Sequence, residues 1–124
     1  MVSLVGSGNV DAGAIFSAAG DSVWANSSGF NVSPDEIKSL VQAYALPDKS
    51  TSSLWGEGLH IAGVKYVCTK VDDRSIYGKK GKTGVCIVKT KQAIVIARYP
   101  DTVQTQSAAT TTEGLADYLI KTGY

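Results

Sequence analysis

Two segments, GVCIV (residues 84–88) and AIVIA (residues 93–97), are apolar at every position instead of at alternate ones. Successive strand residues point to opposite faces, so a strand of this kind needs cover on both sides. The two are separated by Lys89-Thr90 and a tight Lys91-Gln92 connection, which predicts a hairpin in the middle of a sheet. The chain must therefore supply helices to both faces of one sheet, either one to each or two sharing a face with a third opposite.

The surrounding sequence has the elements to do this. LHI and VKYVCTKV flank a turn at Ala62-Gly63, and RSIYG precedes a glycine-lysine turn. Earlier, AIFSA and SVWAN are expected as two short strands joined at Gly20-Asp21. Between the groups lies VSPDEIKSLVQAYALP. Ser33 suits an N-cap, Pro34 the first helical position, and Glu36 closes a capping box. Val32 and Ile37 are placed for a hydrophobic staple. Ile37, Leu40, Val41 and Tyr44 recur at helical spacing, and Pro47 ends the helix by Leu46. SAATTTEGLADYLIKTGY predicts a weaker last helix, its propensity lowered by three threonines and Gly114. Its buried stripe would be Ala108, Thr112, Leu115 and Leu119, with Glu113, Asp117 and Lys121 on the opposite, solvated side, and Gly123 as the stop. No element is assigned to the polar stretch SSLWGEG. The order is that of an α+β sandwich with helices outside an antiparallel sheet.

At 124 residues the chain is expected to form one domain, residues 1–124, large enough to bury a core without metals or disulfides. No apolar run approaches a membrane span, and the start, MVSLVGSGNVD, lacks the basic region of a signal peptide. Cys68 and Cys86 are too few for a disulfide framework and are expected as buried free thiols in a reducing cytoplasm. Charge is polarised along the sequence. Residues 65–98 hold nine of the twelve basic residues and two of the eleven acids, a balance of +7, while the remainder carries −6. If those strands share a face, it attracts an acidic partner.

Several chemistries are excluded. The GKKGKTG segment lacks the P-loop glycine, since Ile76 stands five residues before Gly81, and a strand follows it instead of a helix. GSGNVDAG fails the dinucleotide pattern at Asp11. His60 is the only histidine, so a metal centre or a histidine-based catalytic pair has too few members. Asp72 and Asp73, adjacent on a strand, would point apart. No enzyme activity and no cofactor are expected.

Six phrases, in order along nearly the whole chain, resemble profilin, the small actin-monomer-binding family, in its amoebal and fungal form. They are SLVGSG, GDSVWA, GLHIAGVKY, DDRSIYGKKG, VKTKQAIVI and LADYLIKTGY. The resemblance implies a central antiparallel sheet with N- and C-terminal helices on one face and smaller helices on the other. It implies regulation of actin polymerisation through monomer binding, nucleotide exchange and delivery to barbed ends. Carried over position by position, the implied actin-binding residues are Leu54, Trp55, Lys70, Arg74, Lys79, Lys80, Lys89, Val103 and Gln104. Arg74, Lys79 and Lys80 are also the implied contacts for phosphatidylinositol bisphosphate headgroups. Trp24, Tyr118 and Tyr124 are the implied rings for proline-rich proteins such as formins. A cytoplasmic, cytoskeletal protein with no nucleic-acid partner is implied. An alternative is a phosphoinositide-responsive signalling adaptor with little actin delivery.

Two departures from the family pattern stand out. A Pro-Gly common before the last helix is replaced by Gln104-Thr105-Gln106-Ser107. A short N-terminal helix of the form SWQ-x-Y is also usual, whereas only Met1-Val2 precede SLVGSG here. With those two aromatics missing, weakened polyproline binding is expected.

Overall fold

A computed structural model describes residues 12–17, 23–26, 32–45, 54–72, 74–81, 83–100 and 103–123. Strands β1 (Ala12–Ser17) and β2 (Val23–Asn26) are followed by helix α1 (Pro34–Ala45) and a short helix α2 (Leu54–Glu57). Then come β3 (Leu59–Ile61), β4 (Val64–Val71), β5 (Ser75–Lys80), β6 (Thr83–Lys89) and β7 (Ala93–Tyr99), and last α3 (Thr105–Lys121). The strands form one seven-stranded sheet in the order β2-β1-β7-β6-β5-β4-β3, antiparallel at every pair. The positions expected for an N-terminal helix, the Gly20-Asp21 turn and Pro47 lie outside the described residues.

The doubly apolar hairpin sits mid-sheet, as its pattern requires. On one face Ile37, Leu40 and Ala43 of α1 close over Ala14, Phe16, Ile76, Val85, Ile87, Ile94 and Ile96. On the other, Leu115 and Leu119 of α3 pack with Ile15, Val95 and Ala97, while Ala108 packs with Cys86 and Tyr99. Each fully buried isoleucine contributes roughly 1.5–3 kcal/mol. Truncating Ile87 or Ile96, both at 0% exposure, to alanine costs about 2–5 kcal/mol, because the sheet cannot collapse onto the void. The two cysteines fall on opposite faces, Cys68 with the α1 cluster and Cys86 with the α3 cluster, and both are free.

The α1 cap forms as its sequence predicts. The Ser33 N–H donates to Glu36 Oε1 at 2.8 Å, and the Glu36 N–H donates to Ser33 Oγ at 3.2 Å. Glu36 also reaches a second element. Its Oε1 accepts the Ala62 N–H and its Oε2 the Gly63 N–H, both at 2.9 Å. Both turn residues have positive φ, 53° at Ala62 and 80° at Gly63. The carboxylate thus ties the start of α1 to the β3–β4 hairpin and holds Ala62 in a conformation its own Cβ disfavours.

Helix α2 has no counterpart in the sequence reading. Four residues containing a glycine carry no helical period, so only tertiary packing beside β4 reveals it. Strand β5 also runs further than RSIYG suggests, through Lys79 and Lys80.

Candidate functional site

Helix α3 covers β6 and β7, reaches the start of β5 through Glu113, and leaves β4 and the end of β5 on the same sheet face open. Strand register places Val67 opposite Lys79 and Lys70 opposite Tyr77 on that open strip. Both lysines are exposed, and Val67 is 68% exposed, unusual for a β-branched residue inside a strand. Val103 and Gln104 border the strip where α3 begins. Val103 is half-buried with Cys86, Tyr99 and Ala108, and Gln104 is the exposed N-cap residue, whose side chain makes no cap bond. Trp55, also exposed, lies in α2, which packs beside β4, and Leu54 starts that helix. The result is a surface of mixed apolar and cationic groups.

Not every expected residue joins it. Lys80 pairs with Thr83 and alternates to the α1 side of the sheet. Lys89 sits opposite Ile94, a member of the α1-side core, so it too belongs to the other face. Arg74 precedes β5, and Lys79 is five residues on. At about 3.3 Å per residue, their backbones are roughly 17 Å apart. Lys79 and Lys80 also point to opposite faces, so the three residues expected to share a headgroup do not converge on one site.

Arg74 is held from every side. Its Nε donates to Glu113 Oε1 at 3.0 Å, and its Nη2 donates to Asp117 Oδ1 at 2.6 Å and to the Glu113 carbonyl at 3.3 Å. Its backbone N–H, with that of Ser75, donates to Asp72 Oδ1 at 2.8 and 2.6 Å respectively. Its carbonyl accepts the Tyr44 hydroxyl from α1 at 3.0 Å and the Lys89 N–H at 2.8 Å. Glu113 receives more than the arginine. Its Oε1 also takes Ser75 Oγ at 3.2 Å, and its Oε2 takes the Tyr77 hydroxyl at 2.5 Å. Glu113 is therefore not on a purely solvated side of α3. It points at β5 and gathers donors from Ser75 and Tyr77 there and from Arg74 just before it.

The electrostatics follow from these contacts. The bond to Asp117 raises the Arg74 guanidinium above its ordinary range, against a smaller opposing effect of burial. Burial and the Glu113 carboxylate push the Tyr77 phenol up. Burial alone would raise the Asp72 carboxyl, but the Ser75 and Arg74 N–H groups and Lys70, 3.4 Å away, together hold it below the usual carboxylate range. Lys70 also stands over the Tyr77 ring, 5.0 Å from its centroid. Burial pushes the Cys86 thiol up to about 12.

The aromatics expected to meet proline-rich segments lie elsewhere. Ile15 pairs with Ala25 and Phe16 with Val23, so Trp24 is the extra residue of a β-bulge. Bulges re-aim side chains, and this indole is exposed. Tyr118 is 61% exposed on α3, beyond the Leu115–Leu119 contacts that seat this half of the helix near Ile15 of β1, the neighbour of β2. Tyr124 lies outside the described residues. Among the described residues no group of three His, Cys, Asp or Glu side chains is placed to hold a metal.

Sequence reasoning missed Val67, Glu113 and Asp117. The alternation in VKYVCTKV was enough to find Val67, since Tyr66 and Cys68 on either side turn inward. Nothing local marked the two acids, whose role depends on a strand about forty residues away in sequence.

A profilin family model matches residues 1–124. The chain belongs to the profilin family. The profilin of Schizosaccharomyces pombe is 48% identical over 122 residues, spanning 98% of this chain and 93% of that protein. A crystal structure of the S. pombe protein superposes with a TM-score of 0.91 at 47% identity, covering 99% of this chain and 94% of that one. Profilin IB of Acanthamoeba castellanii gives the same TM-score and coverage at 43% identity. The amoebal and fungal resemblance and the α+β arrangement agree with these likenesses.

Proposed function

We propose that this chain binds monomeric actin through the open β4–β5 strip and regulates actin polymerisation, promoting nucleotide exchange and delivery to barbed ends. The observation that carries the reading is the strip itself. An exposed valine between lysines, bordered by Trp55, Val103 and Gln104, lies on a sheet face that α3 leaves uncovered. Apolar anchors suit a desolvated interface centre, and the cations steer an acidic partner onto it. Leu54 and Arg74 would flank this centre, whereas Lys80 and Lys89, carried over with them, face the other side of the sheet.

Proline-rich segments would dock at the exposed indole of Trp24 and ring of Tyr118, with Tyr124, since a polyproline II helix presents ordered rings to aromatic side chains. Phosphoinositide headgroups would use Arg74, Lys79 and Lys80 as separate contacts. Support for the first two partners comes from more distant structures of the same fold. Mouse profilin IIa was solved with a double repeat from the FH1 domain of mDia1, and LokiProfilin2 with rabbit actin, at 18% and 21% identity to this chain. The reading is non-enzymatic, for a chain that works in the cytoplasm with the cytoskeleton.

Gel filtration with purified monomeric actin tests it. Co-elution is expected. Independent elution of the two at micromolar concentrations would leave the lipid-responsive adaptor as the better reading.

A further inference from the structure

We infer that Glu113 and Asp117 act as an internal competitor for Arg74, so that a phosphate-bearing polyanion must displace α3 carboxylates to reach this cation. The inference rests on the proposed phosphate-binding role of the basic loci. Arg74 presents a guanidinium fork, the geometry that suits carboxylate and phosphate oxygens alike, and its Nε and Nη2 donors are already engaged by carboxylates of α3. The contact is open to exchange. The Arg74 and Asp117 side chains are 38% and 66% exposed, and pairs of this kind are weak in water.

Displacement leaves little unsatisfied behind. Glu113 keeps the Tyr77 and Ser75 hydroxyls when the guanidinium leaves, and Asp117 returns to solvent. A phosphomonoester offers about −1.5 to −2 of charge and three acceptor oxygens, against the single charge of each carboxylate. Lys79 and Lys80 form no ion pair among the described residues, so of the three cations it is Arg74 whose access depends on α3.

Asp117→Asn weakens the competitor while keeping the side-chain shape. Binding is read by co-sedimentation with phosphatidylcholine vesicles carrying phosphatidylinositol bisphosphate, and separately by titration with soluble inositol trisphosphate. Asp117→Asn is expected to tighten binding about two- to five-fold, the span that a partly exposed ion pair supports. In an Arg74→Gln background the same change should gain nothing. Asp35→Asn, an equal charge change at an exposed position in the first turn of α1, should not match it. A gain on both ligands assigns recognition to the headgroup, and a gain on vesicles alone assigns it to the bilayer surface. Equal tightening with and without Arg74, equal tightening by Asp35→Asn, or no change at all would overturn internal competition. No wild-type binding to either ligand would overturn the phosphate-binding reading and this inference with it.

Discussion

Arg74→Glu is instructive because an exposed charge reversal is ordinarily worth less than ~0.5 kcal/mol, and by sequence alone this position is a solvent-facing cation. The contacts of Arg74 predict otherwise. The change removes the bonds at 3.0 and 2.6 Å to Glu113 and Asp117 and sets a third carboxylate against those two. Glu113 is 30% exposed, so its pair is screened less and loses about 1 kcal/mol, while the more exposed Asp117 pair loses about 0.5. Repulsion of similar size adds roughly 1 kcal/mol, for a total near 2–3 kcal/mol. For a domain of this length that is a fall in Tm of about 6–12 °C, and Arg74→Gln, which loses the pairs without the repulsion, should fall about half as far. Thermal unfolding followed by circular dichroism reads both. Added salt should narrow the gap between the variants, since repulsion between exposed charges is screened. A Tm for Arg74→Glu within a degree of wild type, or identical values for the two variants, would mean that these ion pairs do not hold α3 to β5.

Three further outcomes are expected. Ala62→Gly should stabilise by about 0.5–1 kcal/mol in urea unfolding, since glycine accepts φ 53° without strain, whereas Glu36→Ala should cost about 2 kcal/mol through three lost acceptor contacts. Because the Asp72 carboxyl is held below its unfolded value, its stabilisation is complete above about pH 4 and is lost as pH falls through the lower folded value; Asp72→Asn should therefore flatten the acid limb of the stability curve there. With both thiols buried and raised, neither Cys68 nor Cys86 should react rapidly with a disulfide reagent at pH 8 in the native state, and both should react in denaturant.

The legibility of this chain divides along physical lines. Elements whose signal is local were readable. The α1 capping box, the 3.6-residue stripe of Ile37, Leu40 and Tyr44, and the two-sided burial of β6 and β7 all lie within a few residues of sequence. What escaped was relational. The stripe of Ala108, Thr112, Leu115 and Leu119 read from the sequence sets Glu113 on the opposite, solvated side. Glu113 turns to β5 because Arg74, Ser75 and Tyr77 offer it donors there. Lys79 and Lys80 look alike in sequence, but strand alternation sends them to opposite faces. Trp24 was named only through the family resemblance, and the bulge that displays it comes from a register shift against β1.

Because Arg74 also holds α3 to the sheet, its substitutions mix binding with folding, and Lys79 is the cleaner probe of the proposed actin surface. Lys79 is exposed, forms no ion pair among the described residues and lies beside Val67 on the open strip. The decisive experiment is a fluorescence titration of labelled monomeric actin with the wild-type chain and with Lys79→Glu at two salt concentrations. Saturable wild-type binding is expected, weakened about ten-fold or more by Lys79→Glu with no change in Tm, and with a smaller difference at high salt. Equal affinities for wild type and Lys79→Glu at low salt would rule out the β4–β5 strip as the actin-binding face.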